Sequence, residues 1–382
     1  MSKYYLTLTT ILFTLLLSCG NDDNYTPMGE TDDDPMMTDD DGGSTDDEGS
    51  TDEDMGVTID LTAVPFDTLS EYGFFDGNLA NLTPNEGVLE YSLINKLFSD
   101  YSIKKRFIWM PEGVSASYDA DDKLLVFPVG TIIIKNFFYD NVLPQNARQI
   151  LETRLLINTA DGWEFADYIW NETQTEATYN LDGSNVDIMW ELNGETRSVN
   201  YRIPNVTECQ TCHKSGDTSI PIGPKPQNLN RDFTYTDGST ANQLDKWIEE
   251  GYLQSVPADV SALIDWQDTS APLKDRVRNY FEVNCAHCHI DDGHCSYRPI
   301  RLDYTSSLLD ENIGVCVVPD EDLGNGLTHI IRPGNIQRST LYFRLNTTAE
   351  EARMPLLGRT LIHEEAVTLL EEFINELDTE CE

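Results

Sequence analysis

Residues 149–170 read QILETRLLINTADGWEFADYIW, and this stretch predicts a β-hairpin. Two runs rich in β-branched and aromatic residues flank Asp161-Gly162, which is a strong signal for a hairpin turn. A second pair of such runs, within residues 186–203, flanks Asn193-Gly194. Short strands at this spacing predict an antiparallel, sandwich-like β domain over residues 57–204.

Beyond these strands, the string Cys-x-x-Cys-His occurs twice. The motif residues are Cys209, Cys212 and His213 in the first copy, and Cys285, Cys288 and His289 in the second. This string is typical of covalent c-type haem attachment. Each thiol forms a thioether to the haem, and the histidine that follows is an axial ligand of the iron. Cysteine and histidine are scarce here (8 and 6 residues of 382), so two chance copies are improbable. The sequence therefore predicts two covalently bound haem c groups.

The second motif lies in a region, residues 271–382, that reads as a small cytochrome c domain. Apolar residues recur at helical spacing in residues 273–284, just before Cys285, and again in residues 363–377. Met354 is the only methionine after His289, and a His/Met pair is usual in cytochromes c. We therefore expect Met354 to be the distal ligand. The alternative is a methionine that fills a gap in the core.

The first motif, within residues 205–270, is less complete. No helical pattern precedes it, although residues 242–253 predict a helix farther on. No methionine or second histidine follows His213 in this region, so the sixth ligand comes from elsewhere or the iron is five-coordinate. The candidates from other regions are Met110, Met189, His294, His329 and His363.

A zinc site is the alternative use of the two cysteine pairs. Paired cysteines in structural zinc sites are usually about fifteen to twenty residues apart, whereas here the pairs lie roughly seventy apart. The spacing and the two adjacent histidines favour haem.

The N-terminal residues predict export. Lys3 precedes the apolar stretch 6–17, which is too short to span a bilayer, and residues 1–19 therefore read as a signal peptide. Leu16-Leu17-Ser18-Cys19 resembles the bacterial lipoprotein box, in which the cysteine is lipidated. An ordinary cleaved signal is the alternative. Residues 20–56 are acidic, contain no basic residue and predict a disordered tether. The acidic residues after Cys19 fit either a surface-export signal or a plain spacer.

Charge and compartment limit the partners. A formal net charge of -42 argues against nucleic acid as a partner, because the phosphate backbone repels an acidic chain. An acidic electron carrier usually binds a partner that presents a basic patch. We expect a lipoprotein anchored to a membrane, in the periplasm or at the cell surface, with the outer membrane as the expected anchor.

Three cysteines remain outside these motifs. In an oxidising compartment such thiols tend to pair. Cys295 and Cys316 are close in sequence, and we favour a disulfide between them that closes a loop. The alternative is that either one pairs with Cys381.

Together these features predict an α+β multidomain chain. An antiparallel β-sandwich-like domain precedes mainly α-helical modules that are similar to class I cytochromes c.

Most of the predicted folded part resembles a bacterial family of di-haem c-type cytochromes. The matching stretches are 69–73 (LSEYG), 97–101 (LFSDY), 127–131 (FPVGT), 152–156 (ETRLL), 168–171 (YIWN), 174–177 (QTEA), 229–232 (LNRD), 284–289 (NCAHCH) and 354–359 (MPLLGR). The resemblance implies two covalent haems and a redox role outside the cytoplasm. It also suggests that the chain accepts electrons from an exported dehydrogenase.

Three functions follow as hypotheses. The first is a membrane-anchored electron carrier. The second is a peroxidase-like redox enzyme with an open coordination position at the first iron. The third is a surface binding protein whose β domain recognises a polysaccharide or a protein, as Trp163 and Trp170 would permit.

Overall fold

The computed structural model describes residues 56–324 and 326–381, and its largest element is one antiparallel sheet of eight strands. The strands of this sheet are β3 (Val88–Tyr91), β4 (Ile103–Trp109), β5 (Ile132–Val142), β6 (Ala147–Thr159), β7 (Gly162–Trp170), β8 (Ala177–Tyr179), β9 (Ser184–Leu192) and β10 (Glu195–Ile203). Strands β3 to β8 are neighbours in chain order. The β9–β10 hairpin joins the end of β5, where Val142 pairs with Trp190.

The two predicted hairpins are confirmed. Thr159 pairs with Gly162 across the β6–β7 turn, and Leu192 pairs with Glu195 across the β9–β10 turn. Asn193-Gly194 in the second turn has positive φ at both residues (54° and 83°), which is the conformation that a type I′ turn requires.

The predicted sandwich is wrong, because the strands outside the large sheet form only two-stranded sheets within the described residues, and none of these is a second sandwich layer. Phe107, Leu155 and Tyr168 on one face pack against the N-terminal segment 57–82. Ile108, Ile133 and Leu156 on the opposite face pack against residues that include Trp247. Alternation along a strand shows that a face is buried but not which element buries it, so the pattern could not distinguish these arrangements.

The remaining regular elements are short. The other strands are β1 (Phe75–Asp76), β2 (Thr83–Pro84), β11 (Lys214–Ser215), β12 (Thr218–Ser219), β13 (Asp232–Thr234) and β14 (Thr240–Asn242). The α-helices are α1 (Val206–Cys212), α2 (Pro226–Leu229), α3 (Gln243–Glu249), α4 (Leu273–Asn284), α5 (Thr340–Leu345) and α6 (Glu364–Glu376). Single 3₁₀ turns lie at Leu69–Tyr72, Leu79–Asn81, Ser306–Leu308 and Ile336–Arg338.

The mainly α-helical character predicted for the C-terminal half is also wrong. The helices expected at 273–284 and 363–377 are present as α4 and α6, which pack together with α5 in one apolar core. The helix expected at 242–253 is shorter. Between α4 and α5 the chain forms loops and turns, because glycine, proline and aspartate recur there at short intervals.

The first and third predicted regions are joined by buried polar contacts, and all described residues belong to one compact unit. The Asn284 side chain, at the end of α4, accepts a hydrogen bond from the Phe98 N–H at 2.8 Å. The buried carboxylate of Asp100 accepts N–H bonds from Thr360 and Leu361, each at 2.7 Å. These contacts fix the two ends of the second motif's region against the sheet region.

Candidate functional site

The second motif is a turn that continues directly from α4. The backbone N–H groups of Cys285 and Ala286 both bond the Phe281 carbonyl at 2.9 Å, and the His289 N–H bonds the Cys285 carbonyl at 3.0 Å. Helix α4 is anchored by Phe281, which is 1% exposed. The buried helix therefore positions both thiols and the imidazole of the motif.

These side chains open into a cleft of about 1040 Å³, which we call the main cleft. Its walls include the two motif cysteines Cys285 and Cys288, together with His289 and Met354. The sequence predicted that these four residues act together, and the structure brings them to one cavity.

Met354 lies on a loop that a buried arginine holds in place. The Arg359 guanidinium is 3% exposed and donates to three carbonyls: Met354 at 2.9 Å, Arg344 at 2.8 Å and Leu361 at 3.0 Å. The Met354 N–H also bonds the Arg344 carbonyl at 3.0 Å. The thioether is therefore presented from a fixed backbone, as an axial ligand must be.

The His289 imidazole suits metal coordination. Burial lowers its pKa to about 4, so the ring is neutral at pH 7 and keeps a lone pair free. Its buried Nδ1 has no hydrogen-bond partner among the residues described. Two thiols, a neutral imidazole and a thioether in one cavity fit the attachment and ligation of a haem c.

The first motif lies on α1, which follows β10 after two residues. Asn205 caps this helix through the Glu208 N–H at 2.9 Å, and Glu208 in turn accepts a bond from Arg202 at 2.7 Å. His213 ends the helix, and its Nδ1 lies 3.0 Å from the Ile220 carbonyl oxygen. That bond assigns the proton to Nδ1 and leaves Nε2 as the ligand atom.

Cys209 and His213 line a smaller cavity of about 350 Å³, which we call the first cavity. Arg154 and Asp167 of the sheet also line it, and both oxygens of the buried Asp167 carboxylate lack a hydrogen-bond partner. Burial lowers the pKa of His213 to about 4, so this imidazole is neutral as well. The two thiols and the imidazole of the first motif fit an attached haem by their chemistry, although Cys209 and His213 line this smaller cavity and Cys212 lines the main cleft.

The structure leaves the sixth ligand of the first site unassigned. Of the described residues, none of the five candidates lines the first cavity. Met110 is in the apolar core, Met189 is half exposed, and His294 lines the main cleft. His329 bonds Thr328, and His363 bonds the Tyr280 hydroxyl and stacks on Phe98.

The two motifs meet at the main cleft. Cys212, the second thiol of the first motif, lines this cleft, and ligand atoms of Cys212, His287 and Cys288 lie within 4.8 Å of one another. Hydrogen bonds with Cys288 and His287 lower the pKa of the Cys212 thiol well below its usual value. By contrast, burial raises the pKa of Cys209 to about 11 and of Cys285 to about 12.

The expected disulfide between Cys295 and Cys316 is wrong. Cys316 is bonded to Cys381 instead, and Cys295 is a buried free thiol. The Cys295 N–H bonds the Cys288 carbonyl at 2.9 Å, which keeps its thiol beside Cys288. Closeness in sequence favoured the pair 295–316, but the chain that follows α6 carries Cys381 back to Cys316.

Sequence reasoning missed the place of Cys295 next to the second motif and the charged residues of the sheet next to the first. Lys135 and Arg154 lie within strand runs that are mostly apolar, 132–138 (IIIKNFF) and 150–157 (ILETRLLI). A charge within a strand that is expected to be buried was the signal that could have indicated them, since charged side chains are almost never fully buried unless they are paired.

Comparison of the chain with protein-family models, with curated proteins and with solved structures found no match. No helix in residues 56–324 or 326–381 has the length and hydropathy that a membrane crossing requires. Cys19 with the signal segment 1–19, and the tether up to residue 55, lie outside the described residues.

Proposed function

We propose that this chain is an exported di-haem c-type cytochrome that exchanges electrons with a redox protein outside the cytoplasm, such as a dehydrogenase. The observation that carries the proposal is the convergence of Cys285, Cys288, His289 and Met354 on one cleft of about 1040 Å³. The proposal rests on these residues and not on the mainly α-helical cytochrome modules expected from sequence, which residues 56–324 and 326–381 do not form.

Each residue has a defined task in this proposal. Cys285 and Cys288 provide the two thiols for covalent attachment, and His289 provides a neutral nitrogen. Met354 provides a soft thioether from a loop fixed by Arg359. When bound, a haem supplies a one-electron Fe(III)/Fe(II) couple, and methionine ligation raises its reduction potential.

The first motif adds a second attachment point beside the first. Cys212 lies within 4.8 Å of Cys288, so cofactors attached there would be neighbours. His213 is oriented by the Ile220 carbonyl, which fixes its tautomer. Adjacent attachment points are the arrangement that a two-centre electron carrier needs.

The N-terminus supports a place outside the cytoplasm. Lipidation at Cys19 would anchor the chain, since two or more acyl chains give stable membrane binding. The acidic segment after it would keep the folded part at a distance from the membrane. The acidic surface favours a redox partner with a basic patch.

The test is the haem-to-protein ratio of the chain expressed with a c-type maturation system, measured from the reduced pyridine haemochrome. A ratio near two is expected for the native chain. Each double variant, Cys209→Ser/Cys212→Ser and Cys285→Ser/Cys288→Ser, should give a ratio near one. Native protein without haem overturns the proposal. Addition of cyanide to the same samples separates the functions: an unchanged spectrum supports a carrier, and a shift at one haem supports an enzyme.

A structural metal site is the second candidate, and one observation favours it. Cys212, His287 and Cys288 converge, and the Cys295 thiol interacts with Cys288. Three cysteines and one histidine form a common zinc set, so the fold removes the objection that the pairs are far apart in sequence. Metal analysis of haem-free native protein tests it. About one zinc per chain, lost in Cys295→Ser, supports zinc, whereas haem loading that Cys295→Ser does not change supports the cytochrome.

A further inference from the structure

Three basic residues lie directly opposite one another across the central strands. Arg106 on β4 pairs in register with Lys135 on β5, and Lys135 pairs with Arg154 on β6. We call these three residues the basic row. Tyr91 and Asp167 continue it at its two ends. Like charges at directly opposed positions of a sheet destabilise it, so such a row needs a compensating anion.

The basic row has few ion-pair or hydrogen-bond partners within the chain. Arg106 is 3% exposed, and neither it nor Lys135 forms an ion pair or a side-chain hydrogen bond with any residue that the structure describes. Arg154 has a partner, because Glu152 accepts from it at 2.6 Å and 2.9 Å. Two cations in the middle of the molecule are therefore left without a counter-ion.

Nearby charges do not supply the missing compensation. Lys104 lies two residues before Arg106 on the same face of β4 and adds another cation. Its side chain bonds only the Ser102 carbonyl, at 2.7 Å. Glu152 is shared with Arg154 and Tyr201. Burial and the negative charge of Glu152 raise the pKa of Asp167 well above its usual value, so Asp167 favours its neutral form.

The repulsion between the charges of the basic row affects the pKa of Lys135. Burial, together with the charges of Arg106 and Arg154, lowers the pKa of Lys135 well below its usual value, so Lys135 holds its proton less readily until an anion compensates the row. A chain with a net charge of -42 has many acidic side chains that could have been placed here. On this face Glu152 is already bonded to Arg154, and Asp167 favours its neutral form, so Arg106 and Lys135 still lack a counter-ion, which indicates a site for an anion from outside the chain.

The basic row lies beside the first motif. Arg154 and Asp167 line the first cavity together with Cys209 and His213. Phe165, two residues before Asp167 on β7, also contacts the first motif, with its ring centroid 5.4 Å from that of His213. An anion held by the row would thus be next to whatever is attached at the first motif.

We infer that Arg106, Lys135 and Arg154 form a carboxylate-binding site that holds the propionates of the haem attached at Cys209 and Cys212. This inference rests on the proposed function. Arginine binds carboxylates through two parallel hydrogen bonds, and lysine adds a point charge. The sheet is then one wall of the first haem site, and it replaces the leading helix that the first motif lacks.

The experiment measures the reduction potentials of both haems in the native chain and in Lys135→Met and Lys135→Arg. Loss of a cation beside a haem favours Fe(III), so Lys135→Met should shift one midpoint potential downward and leave the other unchanged. Lys135→Arg should restore the shifted value. The control is Lys105→Met, on the opposite face of β4, where Lys105 pairs with Glu90 at 3.5 Å. It should shift neither potential.

A second measurement tests Arg106, the buried residue of the basic row. Arg106→Met should change the propionate bending bands in the resonance Raman spectrum of the same haem. If this variant does not fold, the Lys135 series decides alone, since Lys135 is only partly buried.

The outcomes separate this inference from the proposed function. A native chain without haem overturns the proposed function itself. Two haems with potentials that Lys135→Met does not change overturn only the carboxylate site. Added acetate or inorganic phosphate, at constant ionic strength, tests for a free anion. If either raises the melting temperature of the native chain but not of Lys135→Met, the row binds a free anion and the propionate assignment is wrong.

Discussion

The sulfur atoms of Cys212 and Cys288 lie within 4.8 Å of each other, although residues 213–287 separate the two cysteines in the chain. Each belongs to a different Cys-x-x-Cys-His motif, so the fold joins the two motifs at one wall of the main cleft. A thiol consumed in a thioether no longer binds a metal as a thiolate. The cytochrome and the zinc site are thus exclusive uses of the same atoms.

The first prediction tests this meeting of the motifs in haem-free protein. Treatment with the thiol oxidant diamide should cross-link Cys212 with Cys288, or Cys288 with Cys295, since these thiols are in contact. Cys209 should remain unlinked, because it lines the separate first cavity. Peptide mapping by mass spectrometry identifies the linked pairs. A dominant link that includes Cys209 would contradict the geometry.

The second prediction concerns Met354. Replacement by alanine removes the thioether that favours Fe(II), so the reduction potential of one haem should fall. The charge-transfer band that marks methionine ligation should disappear from the spectrum of the oxidised protein. Met189→Ala is the matched control, because Met189 is half exposed and lies away from the cleft. If Met354→Ala changes neither the potential nor the band, Met354 is a core residue.

Local sequence signals predicted the elements well. The turns at Asp161-Gly162 and Asn193-Gly194 act within a few residues, so both hairpins follow from sequence. The helical period before Cys285 likewise predicted α4 over residues 273–284. These features are set by neighbours in the chain.

Contacts between residues far apart in the chain could not be predicted from local sequence patterns. The contact of Cys212 with Cys288 depends on how α1 and α4 pack beside the sheet, and no local pattern specifies that distance. The single sheet replaced the expected sandwich for the same reason, since segment 57–82 covers one face without regular strand patterning. The basic row is also a register effect, because β4, β5 and β6 each contribute one residue to it.

The third prediction addresses the disulfide. Cys316 and Cys381 close a loop over a sequence separation of 65 residues, so Cys381→Ala should lower the free energy of unfolding by about 4 kcal/mol. Urea unfolding of oxidised protein measures this loss. Cys295→Ala removes a free thiol and should lower the free energy of unfolding by a smaller amount. A non-reduced digest that contains a Cys295–Cys316 peptide would contradict the assignment.

The last prediction is a pH dependence that arises from His363. This imidazole is 9% exposed, stacks on Phe98 with ring centroids 4.0 Å apart, and lies 3.2 Å from the Tyr280 hydroxyl. Burial, with smaller contributions from Lys104 and Arg359, lowers its pKa to about 3. The folded state therefore keeps His363 neutral at a pH where the unfolded chain has already bound a proton.

This difference in pKa makes the folded state less stable as the pH falls. Above pH ~6.5 both states are neutral and His363 adds no pH dependence. As the pH falls below that value only the unfolded state gains a proton, so stability decreases until the folded pKa of about 3 is reached. Between pH 7.5 and pH 5 the free energy of unfolding of the native chain should fall by about 2 kcal/mol more than that of His363→Phe.

Chemical unfolding at these two pH values, in the native chain and the variant, measures the difference. Phenylalanine preserves the stack on Phe98 and has no proton to bind. His294→Gln is the control, since His294 is an exposed histidine outside the cluster around His363. Equal slopes in the native chain and in His363→Phe would show that His363 does not titrate differently in the two states.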